Sequence, residues 1–213
     1  ADQVTEWALR RSQEGLGHED FVEHLQLLQA WLSPRGVRVG MGMTLTATPA
    51  ASGYPEVWLL GSSDYSARLA GKLGIRYAYA GHFGQFDPAA VFALYRDSFS
   101  PSEGLEAPHA MLCTSALVGA TEEEAAYLAG PSTISWINIR RDTREALPSP
   151  EESARRIDAM GGVDFSGTKV VGTADQVRSR LEEMVADCEV QELMVLTTAY
   201  DVQTRIDTLA ALV

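Results

Sequence analysis

Glu56-Val57-Trp58-Leu59-Leu60-Gly61-Ser62-Ser63-Asp64-Tyr65-Ser66-Ala67-Arg68-Leu69-Ala70 opens as an apolar run, breaks at Gly61-Ser62-Ser63, and resumes with Ala67, Ala70 and Leu73 on one helical face. An apolar run, a small polar turn and a helix together predict a buried parallel strand feeding an α-helix. Gly61 allows close backbone approach or a positive φ. Ser62, Ser63 and Ser66 place three hydroxyls around a helix N-terminus, where free N–H groups and the helix dipole favour an anion such as a phosphate. A serine in that position is also an ordinary N-cap. The turn therefore carries two readings from its residues alone.

The chain continues through Gly74-Ile75-Arg76-Tyr77-Ala78-Tyr79-Ala80-Gly81-His82-Phe83, a second strand that ends in Gly-His-Phe. The block WLLGSSDYSARLAGKLGIRYAYAGHF resembles the fifth- and sixth-strand region of the luciferase-like, flavin-dependent monooxygenases. It is most similar to single-chain bacterial members that read roughly LGSS-x-x-SA-x-LA-x-x-LG-x-x-Y-x-FA-x-HF. A second stretch, VVGT-x-x-Q-V-x-x-x-L from Val170 to Leu181, resembles the same family. The resemblance implies a TIM-type (β/α)8 barrel. It also implies that the FMN phosphate sits at this turn, with Gly61, Ser62, Ser63, Tyr65 and Ser66 as the candidate cofactor-binding residues.

Composition limits the alternatives. The 213 residues suit one domain, residues 1–213, with a substantial core. No apolar run approaches the ~20 residues of a membrane span. Acidic residues outnumber basic ones 29 to 17, a net charge of −12, which argues against nucleic acid and against anionic lipid. Cys113 and Cys188 follow no metal or redox spacing and read as buried thiols of a reducing cytosol. No signal peptide is recognised, so the expected location is cytoplasmic.

The first 33 residues read as two helices, one with Val4, Trp7 and Ala8 on a face, the other with Phe21, Leu25, Leu28 and Leu32, the second capped by Asp20. His18 and His24 there have no partner at ligand spacing. Residues 33–55 read as a connecting loop in which Val37–Val39 and Met43–Ala47 can pair as a small hairpin. From residue 56 the pattern alternates. Strands are expected at 57–60, 76–80, 111–118 and 193–198, parallel and adjacent in that order, with helices between them. Asp87-Pro88 is a helix start. Capping boxes are expected at Thr121/Glu124, Ser149/Glu152 and Thr173/Gln176. Gly161-Gly162 should stop the helix that begins at Pro150. The segment 131–148, with Trp136 and Arg140-Arg141, reads as irregular, either a lid at a barrel mouth or a plain crossover.

Four β/α units are half of a complete barrel, so residues 1–213 read as its last four units, either a piece of a longer chain or a half completed by a partner. His82 directly follows a strand, where barrel enzymes place working groups, and is the candidate catalytic residue. His109 precedes a strand and reads as structural. The resemblance implies an enzyme that uses reduced FMN and O₂ to oxygenate an aldehyde or another small organic substrate, with a flavin reductase as the expected source of the reduced flavin and a homodimer as the expected assembly. Two other functions fit the same residues: a non-catalytic flavin- or phospholigand-binding barrel, and a subunit that completes another chain's barrel.

Overall fold

The computed structural model describes residue 8 and residues 18–49, 53–143, 145–162 and 169–213. The chain falls into two compact units, Ala1–Val57 and Trp58–Val213. In the first unit, helix α1 spans His18–Leu32, and strands β1 (Val37–Arg38) and β2 (Thr44–Leu45) pair antiparallel as the small hairpin expected there. Asp20 lies inside α1 rather than at its cap. Of the first expected helix only Ala8 is among the described residues, so the stripe of Val4 and Trp7 falls outside them.

The second unit is a parallel sheet with helices. Its elements in order are β3 (Trp58–Gly61), α2 (Asp64–Leu73), β4 (Arg76–Ala80), α3 (Pro88–Asp97), β5 (Ala110–Val118), α4 (Glu122–Arg140), α5 (Pro150–Ala159), β6 (Lys169–Gly172), α6 (Ala174–Cys188), β7 (Glu192–Leu196) and α7 (Val202–Leu212). β3, β4, β5 and β7 pair parallel in that order, as the sequence predicts. β6 is a fifth strand that the sequence reading missed. It pairs with Ser115–Val118 of β5. Ser115 meets Lys169 on one side and Leu196 on the other, so β6 continues the β4 edge beyond the point where β4 ends.

Register sorts the side chains into two faces, because successive residues of a strand point to opposite sides. Leu59, Tyr77, Tyr79, Leu112, Val170, Leu193 and Val195 share the face covered by helices. Tyr77 and Tyr79 are fully buried there, and both rings pack edge-on to Phe92 of α3. Tyr95 Oη donates to Ile75 O at 3.0 Å, so its buried hydroxyl is satisfied. The opposite face carries Leu60, Ala78, Met111, Cys113, Ser115, Lys169, Val171, Met194 and Leu196. Leu60, Met194 and Leu196 are exposed on it.

Residues 131–140 are helical, not irregular: α4 runs through Pro131 to Arg140. Proline removes an N–H and costs a helix interior about 3 kcal/mol. Packing outweighs that cost, because Gly130, Pro131, Ser132, Thr133 and Ile134 are all buried, and Gly130 approaches Ser153 of α5 so closely that a Cβ would lie 3.0 Å from it. Ser132 Oγ and Thr133 Oγ1 also donate to Ala129 O, supplying local bonds around the break. The caps are present but only one is a reciprocal box, at Thr173, whose N–H reaches Gln176 Oε1 at 2.9 Å. The Glu124 carboxylate takes the Ala120 N–H instead, and that of Glu152 is held by Arg155 and Arg156. Asp87 caps α3, and Gly161 and Gly162 follow α5 with φ of 80° and 83°.

Candidate functional site

The turn after β3 is built by a close approach. Gly61 has no positive φ; a Cβ there would lie 2.1 Å from Ser66 Oγ and 2.3 Å from Ser66 Cβ, so only glycine fits. Ser63 is the N-cap of α2, with extended backbone and its Oγ accepting from the Ser66 N–H at 3.4 Å. Ser66 Oγ donates to Ser63 O at 2.7 Å and lies 3.1 Å from Tyr77 Oη. Its hydroxyl is therefore engaged inside the turn. Ser62 and Tyr65 are exposed, and the Tyr65 N–H is held by Asp64 Oδ1 at 2.8 Å. In the first turn of α2 the Tyr65 and Ser66 N–H groups are thus held by the Asp64 and Ser63 side chains, and Ser62 lies exposed beside them.

His82 leaves the end of β4 as the serine turn leaves the end of β3, and Gly61 pairs with Tyr79, so both lie at the same, C-terminal end of the sheet. Its ring contacts Phe83, with centroids 4.3 Å apart, and its buried Nδ1 has no partner among the described residues. It lines a concavity of about 130 Å³ with Leu117, Ser132, Trp136, Lys169 and Leu196. A second concavity of about 400 Å³ shares Phe83, Ser135 and Ile139 with the first and is lined also by Asn138, Asp142 and Glu145. Trp136, expected in a loop, stands on α4, with the Arg140 guanidinium 3.7 Å from its ring centre.

Lys169 is the residue of this concavity that sequence reasoning missed. Its Nζ donates to Ser132 Oγ at 2.8 Å and to Thr133 Oγ1 at 3.4 Å. Burial pulls its pKa down to about 8. A cation opening an apolar strand, in Lys169-Val170-Val171, was the available signal. Its inward position follows only from pairing with Ser115. His109 lies at the opposite end, against Glu192 at 2.7 Å and edge-on to Trp58, which matches its structural reading. Cys113 and Cys188 are buried free thiols, and burial raises both pKa values, that of Cys188 to about 11. His24 is exposed.

A model of the luciferase-like monooxygenase family matches residues 16–191. The chain belongs to the luciferase-like monooxygenase family. A luciferase-like monooxygenase of Escherichia coli K12 is 30% identical over 213 residues, covering 97% of this chain and 61% of its own length. YvbT of Bacillus subtilis, an uncharacterized protein, is 34% identical over 205 residues, covering 94% of this chain and 59% of its own. Among solved structures, apo-MsnO8 superposes with a TM-score of 0.85 at 25% identity, across 100% of this chain and 64% of that one. This luciferase-like chain thus spans about three-fifths of the length of those relatives. Among its described residues no helix is long and apolar enough to cross a membrane, and no cluster of His, Cys, Asp and Glu could hold a metal ion.

Proposed function

We propose that residues 1–213 form the last four β/α units of one (β/α)8 barrel domain, and that the barrel is an FMN-dependent monooxygenase acting on a small organic substrate such as an aldehyde. The observation that carries this reading is that the serine turn and the His82 concavity share the C-terminal end of one parallel sheet in a luciferase-like chain. The oxygenating component of 3,6-diketocamphane monooxygenase from Pseudomonas putida, in complex with FMN, has the same fold with a TM-score of 0.62.

The residues present fit the cofactor. At the N-terminus of α2 a phosphate would replace the Asp64 and Ser63 side chains on the Tyr65 and Ser66 N–H groups, with the Ser62 and Ser63 hydroxyls beside it; Gly61 and Ser66 shape the turn, and Tyr65 stands exposed next to it. The unpartnered Nδ1 of His82 fits a group that completes its bonding from within the concavity. Reduced FMN, when bound, supplies the activation of O₂. The chain binds the phosphate, holds a proton at His82, and keeps water from the reacting groups with Leu117, Trp136 and Leu196. A flavin reductase supplies the reduced cofactor, and the assembly is a cytoplasmic homodimer.

The test is oxygen consumption by the protein with FMN, NADH and a flavin reductase, across a panel of aliphatic aldehydes. Substrate-dependent uptake above the reductase background is expected. FMN binding without such uptake for any substrate would reduce the function to flavin binding, and absence of FMN binding would leave the chain as a subunit of another barrel.

A further inference from the structure

Lys169 is a cation set into a largely apolar wall. Register places it on the same face as Ser115 and Leu117, the face that bears the concavity. Its ammonium has three N–H groups, and the described partners, Ser132 and Thr133, take two of them. Both hydroxyls already donate to Ala129 O, so they hold the ammonium and cannot serve a ligand as donors. No acidic partner of Lys169 occurs among the described residues. Glu145, which lines the neighbouring concavity, is neutralised by Arg156 at 2.5 Å. Burial lowers the pKa of Lys169 yet leaves it mostly protonated at neutral pH. A half-buried charge without a counter-charge among the described residues is costly, and the site is completed when an anion enters.

We propose that this concavity is the substrate end of the site, where Lys169 takes the carboxylate of a small amphiphilic organic acid whose apolar part lies against Leu117, Trp136 and Leu196. The proposal rests on the monooxygenase reading for the identity of the ligand as a substrate, but its binding chemistry does not. One ammonium with one remaining N–H is matched in charge by a single carboxylate. The chain's net charge of −12 gives no general attraction for anions, so the local cation must decide which head group is held.

The experiment is calorimetric titration of the full chain with hexanoate and with 1-hexanol, which share a tail and differ in the head. Hexanoate should bind at least about tenfold more tightly, the scale of one charge-assisted hydrogen bond. Lys169→Met should bring the two affinities together, and Lys169→Arg should keep most of the preference. Lys169→Gln repeats the loss with a polar side chain should the Met variant fail to fold, as judged by its thermal melt. Equal affinities in the unaltered protein, absence of binding by either ligand, or a preference that survives loss of the lysine would each overturn the proposal. FMN is titrated into the same samples. A lysine-dependent preference without FMN binding keeps the acid pocket and removes the flavin reading, while FMN binding without the preference does the reverse.

Discussion

Ser66 Oγ, 2.7 Å from Ser63 O and 3.1 Å from Tyr77 Oη, ties the serine turn to the buried end of β4. Ser63 meets Tyr77 only through its carbonyl oxygen, its hydroxyl bonding within the turn to the Ser66 N–H, and Ser62 is exposed, so the hydroxyls of the turn separate by role. Ser62→Ala/Ser63→Ala should weaken FMN by about tenfold or more while leaving riboflavin unchanged, because riboflavin has no phosphate to lose. Ser66→Ala should instead lower stability by about 1 kcal/mol, the net worth of a hydrogen bond, and change FMN affinity less. Fluorescence-quenching titrations of both ligands and urea denaturation check the pair. Equal weakening of FMN and riboflavin would mean that the serines only shape the turn. Tyr77 gives a second test at this scale. Burial, opposed by its bond to Ser66, pushes its pKa up to about 12 from the ordinary value of 10.0. The unfolded chain therefore releases this proton first, so the stabilising contribution is fully present below pH 10 and is lost as pH rises toward 12. Tyr95 and Tyr79 shift in the same direction. Tyr77→Phe should make stability, measured by urea denaturation between pH 9 and pH 11, fall less steeply than in the unaltered protein.

Among the elements, α4 lines both concavities and α5 packs against it where Gly130 meets Ser153. Arg156 bonds Glu152 within α5 and Glu145 in the connection before it, and Glu145 also accepts from Asn138 of α4. These bonds hold the Glu145 and Glu152 carboxyls below the usual carboxylate range, with the largest effect on Glu145 from Asn138 and on Glu152 from Arg156. The pairs are exposed, so their worth to global stability is small. Their effect is local, closing the rim between Asn138 and Pro148. Arg156→Met should speed thermolysin cleavage in that rim severalfold with little change in the thermal midpoint. Unchanged cleavage would show that the rim is held by its own packing.

At the scale of the molecule, the unequal faces of the sheet matter most. One face is covered by helices, and the other exposes Leu60, Met194 and Leu196. Among the described residues β3 pairs only with β4, and β7 only with β5. If the barrel closes as proposed, the free sides of both strands are paired in the protein as purified from its source, and unpaired strand edges are removed. Hydrogen exchange there should then be as slow across Trp58–Gly61 and Glu192–Leu196 as across β5. Fast exchange confined to those two strands would leave the sheet open and defeat the closure.

The sequence by itself determined the order and type of most elements. Local signals carry that information: apolar runs for Trp58–Leu60 and Tyr77–Ala80, Asp87-Pro88 at a helix start, and paired glycines at 161 and 162 after a helix. It also contained the family, because the serine turn and Gly81-His82-Phe83 lie within one short stretch. Tertiary structure alone decided three things. It carried α4 through Pro131, since burial between neighbouring elements outweighs a lost backbone bond. It made Lys169-Val170-Val171-Gly172 a strand, because so short a run is fixed by its partner in β5 rather than by its own pattern. And it brought Lys169 to Ser132, 37 residues away, and into the concavity with His82. Spacing along a chain reports contacts within one helix or strand; contacts between elements depend on register and packing, which no local pattern encodes.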